Sequence, residues 1–128
     1  ESFDFLGYTF GPACYRKTGG RYYAAQPSAQ SVRRLKEKLH AIFQRGNVAP
    51  WPDVAAHANR LLRGWANYFR YGTRRKAYRA IDNYTYDRVV RFLKKRRRVS
   101  SRGTAQFPGT KVFGELGIQR LRSLVYGD

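Results

Sequence analysis

Apolar residues recur along this chain with two different periods, and the change from one to the other divides it. Over residues 3–26 the pattern is extended. Phe3, Phe5 and Phe10 are spaced like a strand interrupted at Gly7, Gly11-Pro12 breaks the run, and Tyr22-Tyr23-Ala24-Ala25 resumes it after the turn signal Thr18-Gly19-Gly20-Arg21. Aromatic residues in such a run suit a pleated, half-buried surface, so a small β-hairpin or ribbon is predicted, too small to stand without a helix to pack on.

From residue 28 the period becomes three to four. Val32, Leu35, Leu39, Ile42 and Phe43 trace one apolar stripe, Ser28 or Ser31 supplies a capping hydroxyl, and Gly46-Asn47 ends the run. Pro50-Trp51-Pro52-Asp53 opens a second helix, because a first turn tolerates proline. Val54, Ala58, Leu61, Leu62, Trp65, Tyr68 and Phe69 carry it to Tyr71-Gly72. Thr73 is placed to cap a third helix, whose inner face is Tyr78, Ile81, Thr85, Val89 and Phe92 with Leu93 beside them; Asp82-Asn83 leaves a kink or break open. Beyond Val99 the pattern weakens to loops, with Leu116, Leu121 and Leu124 as one short capping helix.

The expected fold is therefore mainly α (α+β): a small N-terminal β-hairpin packed on a three-helix assembly, with a loop-rich basic C-terminal tail. Its expected core is Leu35, Leu39, Ile42, Phe43, Leu61, Leu62, Trp65, Phe69, Ile81, Val89 and Phe92. Gly64 sits inside the second helix at a cost of about 1 kcal/mol relative to Ala, which suggests close approach by another backbone or a ligand.

Charge then narrows the partner. The 128 residues carry 26 Lys and Arg against 8 Asp and Glu, a net charge of +18, and 19 of the 26 cations are Arg. A chain that is 42% hydrophobic can bury a core, so this imbalance is carried by a folded surface. Such a surface repels itself until a polyanion covers it, and guanidinium forks bind phosphate bidentately and stack on bases. Nucleic acid leads as partner and an acidic membrane surface comes second. From Arg74 to Arg98 there are eleven Lys or Arg against Asp82 and Asp87, a net of +9 in 25 residues. The run Lys94-Lys95-Arg96-Arg97-Arg98 exceeds what a helix C-terminus needs to balance its dipole. A localisation signal is the other use of such a run.

Catalytic chemistry has little to work with. Glu1, Asp4, Glu37, Asp53, Asp82, Asp87, Glu115 and Asp128 are scattered singly, with no pair spaced to hold metal ions or share a proton. His40 and His57 read as surface or packing residues without further ligands, and Cys14 has no evident activating partner. No cofactor or metal site is expected in the segment. No apolar run approaches the roughly 20 residues of a membrane-spanning helix, and no targeting pattern opens the chain, so a cytoplasmic protein of bacterial type is expected. With no Met and an opening Glu1, the chain is expected to be an excerpt of a longer polypeptide.

The stretch Leu61-Leu62-Arg63-Gly64-Trp65-Ala66-Asn67-Tyr68-Phe69 closely resembles the signature of the maturase-specific region, or domain X, of group II intron-encoded reverse transcriptases. The opening Phe3-Asp4-Phe5-Leu6-Gly7-Tyr8 resembles the segment that ends the palm in those enzymes. The resemblance runs from about residue 3 to about residue 98. It implies the end of a palm with its hairpin at 1–27, a helical thumb and maturase domain at 28–98, and a basic tail at 99–128. It also implies a non-enzymatic segment, since the Tyr-x-Asp-Asp motif of the polymerase is absent; the parent would be an RNA-directed DNA polymerase using Mg²⁺ in its fingers–palm domain. The implied partners are group II intron RNA, an RNA–DNA template–primer and the preceding fingers–palm domain.

The expected RNA-binding surface is Arg63, Asn67 and Arg70 on the second helix with Arg74, Arg75, Lys76, Arg79, Arg91, Lys94, Lys95, Arg96, Arg97 and Arg98 on the third. Arg33, Arg34, Lys36 and Lys38, the basic back of the first helix, are second-rank candidates. A sequence-specific DNA-binding helical module and a structural protein of an RNA particle remain as alternatives. The first would prefer one duplex DNA sequence, and the second would be expected as a complete small chain.

Overall fold

A computed structural model describes residues 2–14, 19–96 and 109–124. Three strands, β1 (Phe3–Phe5), β2 (Tyr8–Cys14) and β3 (Arg21–Pro27), form an antiparallel sheet in sequence order. The interruption at Gly7 is a two-residue turn. Phe5 pairs with Tyr8, and Leu6 and Gly7 have φ of 54° and 85°, the twist that a tight hairpin requires. Gly7 is also hemmed in: a Cβ there would meet the Ser31 hydroxyl at 3.0 Å and the Phe69 ring at 3.1 Å. Pro12 is tolerated in the central strand because it lies beyond the reach of β1, where β2 has a single neighbour.

Three helices follow: α1 (Ala29–Ile42), α2 (Trp51–Tyr68) and α3 (Arg75–Arg96). Ser28 caps α1, its hydroxyl accepting from Ser31 N at 3.1 Å, while the Ser31 hydroxyl donates to Gly7 O at 2.8 Å. One serine thus starts the helix and the other ties it to the β1–β2 turn. α1 stops at Ile42, four residues before Gly46, because Asn47 folds back to donate to Ile42 O at 2.8 Å. Thr73 does not cap α3. Its N–H donates to Ala25 O on β3 at 2.7 Å, and Arg74 O takes the first helical bond from Tyr78 N. Gly72 makes this crossing possible, since with φ of 75° a side chain would run into the Ala25 carbonyl.

The sheet is pinned to the helices by aromatic residues. Tyr8 OH donates to Tyr68 O and Tyr68 OH to Leu6 O, both at 2.7 Å, and the Tyr8 ring meets Phe69 edge-on at 4.9 Å. Between the helices the core is Leu35, Leu39, Ile42, Phe43, Leu62, Ile81, Val89 and Phe92, all buried, while Leu61 and Trp65 are only partly buried against it. Phe69 is buried as well, beside Tyr8. Val54, Ala55, Ala58, Ala66, Tyr78, Val90 and Leu93 complete the packing.

α3 runs unbroken through Asp82-Asn83, and Asp82 turns inward. Its carboxylate, 1% exposed, accepts from Leu121 N at 2.7 Å, Arg122 N at 3.1 Å and Arg122 Nε at 3.0 Å. The described part of the tail, 109–124, is thereby drawn into the core, with Val112 and Leu121 buried from two helical turns, Lys111–Glu115 and Leu121–Ser123, and Ile118 buried from the link between them. Trp51 Nε1 donates to Leu116 O at 2.9 Å, and the Asn59 amide both donates to Gly117 O and accepts from Gln119 N at 2.8 Å. Three side chains spaced along α2 and α3 clasp the segment.

Candidate nucleic-acid interface

The buried stripes decide which cations face outward. On α2, Val54, Ala58, Leu62 and Ala66 point inward, which leaves Arg60, Arg63, Gly64 and Asn67 on the exposed face. A Cβ at Gly64 would have nothing within 4 Å, so among the described residues no element closes on it. Arg63 Nε donates to Gln119 Oε1 at 3.2 Å, which sets its guanidinium against the C-terminal segment.

α2 ends at Tyr68, so the helical period joining Arg63 and Asn67 does not continue to Arg70. The Arg70 guanidinium lies over the Tyr71 ring at 5.1 Å and donates to its hydroxyl at 2.9 Å. Arg74, half-buried, donates back to Arg70 O. Arg70 and Arg74 therefore form one basic corner with Arg75, Lys76 and Arg79, which are exposed in the first two turns of α3.

Arg91 and Lys95 are exposed, and Lys94 is partly buried, about 25–30 Å away along the same helix at 1.5 Å per residue. Arg96 is the last residue of α3, and Arg97 and Arg98 lie outside the described residues. On α1, Arg33, Arg34 and Lys38 are exposed, and the Lys36 ammonium sits 5.4 Å from the Tyr84 ring of α3. The cations are thus distributed over a corner near the sheet, the outer face of α2, the back of α1 and the far end of α3.

Four further cations lie outside the surface expected from the sequence. Arg60 shares the α2 face, and its spacing to Arg63 and Asn67 was legible. Arg88 stands at helical spacing with Arg91 and Lys95, also legible. Arg45 reaches the same place from the α1–α2 loop, and Arg120 lies over the Phe113 ring at 4.4 Å. Only the tertiary fold places these last two. The acidic residues do not assemble: among the described residues no three of His, Cys, Asp and Glu come together, and no helix is long and apolar enough to cross a membrane.

Cationic outer faces on a three-helix frame, with the described carboxylates dispersed, make this a helical domain with a strongly basic surface. Residues 32–106, more than half of the chain, match the family described as the maturase-specific domain of group II introns, and the chain belongs to that family. The maturase-specific domain is a non-catalytic one. A search of curated proteins finds no match.

Proposed function

We propose that the chain is the RNA-binding thumb and maturase element of a group II intron reverse transcriptase, gripping intron RNA and a template–primer to assist splicing and mobility. The match over residues 32–106 carries the reading. The physical support is the placement of charge. Structured RNA is engaged through phosphates, 2′-hydroxyls and stacking, and Arg63 with Asn67 on α2 and the Arg70–Arg79 corner offer those groups on exposed faces. In this role the chain holds RNA in its active fold while the RNA performs the transesterifications.

A fingers–palm polymerase domain is the proposed neighbour on the N-terminal side. In support, β1 and its turn expose Phe5 and Leu6 at 59% and 67%, apolar surface that a preceding domain would cover. Mg²⁺ belongs, in this proposal, to that polymerase domain. Competition binding near physiological salt, with folded intron RNA, scrambled RNA of equal length and duplex DNA, tests the assignment. Preference for the folded intron is expected; preference for one duplex DNA sequence would overturn it.

A further inference from the structure

At the far end of the bundle from the sheet, the α1–α2 loop and the last turns of α3 enclose a cleft of about 340 Å³. Four cations line it, Arg45 from the loop and Arg88, Arg91 and Lys95 from α3, and no carboxylate does. The three α3 residues stand at i, i+3 and i+7, on one flank of the helix. Phe43 and Phe92, both buried, back the cleft.

Arg88 differs from a solvated surface cation. It is half-buried, its Nη2 donates to Phe43 O at 3.2 Å, and its Nε is shut away from solvent with no acceptor. The guanidinium is held by the C-terminus of α1, and among the described residues no carboxylate lines the cleft around it. Buried cations are ordinarily paired, and three more positive charges beside this one concentrate positive potential in the cleft. An anion with several acceptor oxygens would relieve it, and guanidinium forks are suited to phosphate.

We infer that this cleft is a phosphate cradle for a bound RNA strand, formed by Arg45, Arg88, Arg91 and Lys95. The inference rests on the RNA-binding reading and deepens it, because it assigns a discrete site to a surface otherwise marked only by charge. A strand suits the cleft better than a free phosphate. Val48, 89% exposed on the rim, offers apolar surface to a ribose or base beside the phosphate. Asn47 stiffens that rim by bonding to both Ile42 O and Ala49 N. The cradle also lies at the opposite end of α3 from the Arg70–Arg79 corner, so one strand or duplex is held at two points about 20 Å apart.

The test compares the full 128-residue chain with an Arg45→Gln/Arg91→Gln double variant, both positions being exposed. Arg88→Gln is a separate variant, since its bond to Phe43 O also supports the fold. Binding to folded intron RNA is followed against salt, and inorganic pyrophosphate is titrated into both proteins by NMR. The cradle predicts affinity about tenfold weaker in the double variant, a log–log salt slope shallower by nearly two, and loss of pyrophosphate shifts at Arg88. Unchanged RNA affinity and slope, with the wild type still binding RNA, would overturn the cradle while leaving the RNA reading intact. Pyrophosphate binding with full RNA affinity in the variant would place a free phosphate there instead, and overturn the strand assignment. A wild type that holds no RNA would overturn both.

Discussion

Replacing Asp82 should release the end of the described chain more than any surface charge change would. The carboxylate accepts three hydrogen bonds, two of them from the consecutive backbone amides of Leu121 and Arg122. In Asp82→Ala the Leu121 N–H, in a residue 0% exposed, is left without an acceptor, a penalty of about 1–3 kcal/mol. The Arg122 side chain is 40% exposed, so water replaces most of what its guanidinium loses, about 1 kcal/mol or less. Together these give about 3 kcal/mol, or roughly 12 °C in Tm for a chain of this size. Arg122→Ala is the control and should cost about 1 kcal/mol or less. Asp82→Asn should fall between the two, because an amide keeps one acceptor for Leu121 but turns its NH₂ toward a donor. Urea and thermal unfolding by circular dichroism read the energies, and hydrogen exchange at the Leu121 amide reads the local release. Trp51 and Asn59 still hold 116–119 in the variant, so exchange should rise most at 120–124. An Asp82→Ala protein no less stable than Arg122→Ala, with Leu121 still protected, would refute the clasp.

Gly64→Ala should stabilise the isolated chain by about 1 kcal/mol, since the added methyl meets nothing and helix propensity improves; a simultaneous several-fold loss of RNA affinity would place the strand on that face, and unchanged affinity would remove it. Arg63→Ala with Arg70→Ala should make the salt dependence of RNA binding shallower by about one per lost phosphate contact, and an unchanged slope would exclude both side chains. Leu6→Asn should raise Tm by about 4 °C, because Leu6 holds a φ of 54° that asparagine tolerates better and its side chain is exposed; a fall in Tm would show that the leucine packs usefully. The Tyr8 phenol is held above its ordinary value of 10.0 first by burial and then by neighbouring Tyr68. Its contribution is therefore whole below about pH 10 and is lost as pH rises from there through the folded-state value. The stability difference between wild type and Tyr8→Phe, from urea midpoints at pH 8 and pH 11, should shrink at the higher pH; a constant difference would contradict the assignment.

Local pattern was enough for the helices and most of their core. The stripes of α1 and α2 are short-range information: a side chain three or four residues on lies on the same face whatever the rest of the chain does. Ser28 as cap and Pro52 in the first turn of α2 likewise act through their own neighbours. Charge was legible for the same reason, since exposed cations need no partner to be counted, and so was the family, through Arg63-Gly64-Trp65-Ala66-Asn67.

Long-range pairing settled what remained. Gly7 read as a break became a turn because Tyr8 pairs with Phe5 and Ser31 fills the space beside it. Thr73, a good cap by composition, is tied by its N–H to Ala25 on β3, and the helix starts one residue later, with Arg74 O taking the first helical bond. Asp82-Asn83 left a kink or break open by pattern, and Asp82 proved to be the anchor for residues 39 and 40 positions later in the chain. The same holds for the cationic sites. Spacing can put Arg88, Arg91 and Lys95 on one flank of α3, but Arg45 joins them only because α1 ends where it does and the loop turns back over Phe92. Periodicity along one helix determines which way a residue faces; what it faces is decided by the other elements, whose positions depend on contacts far apart in sequence.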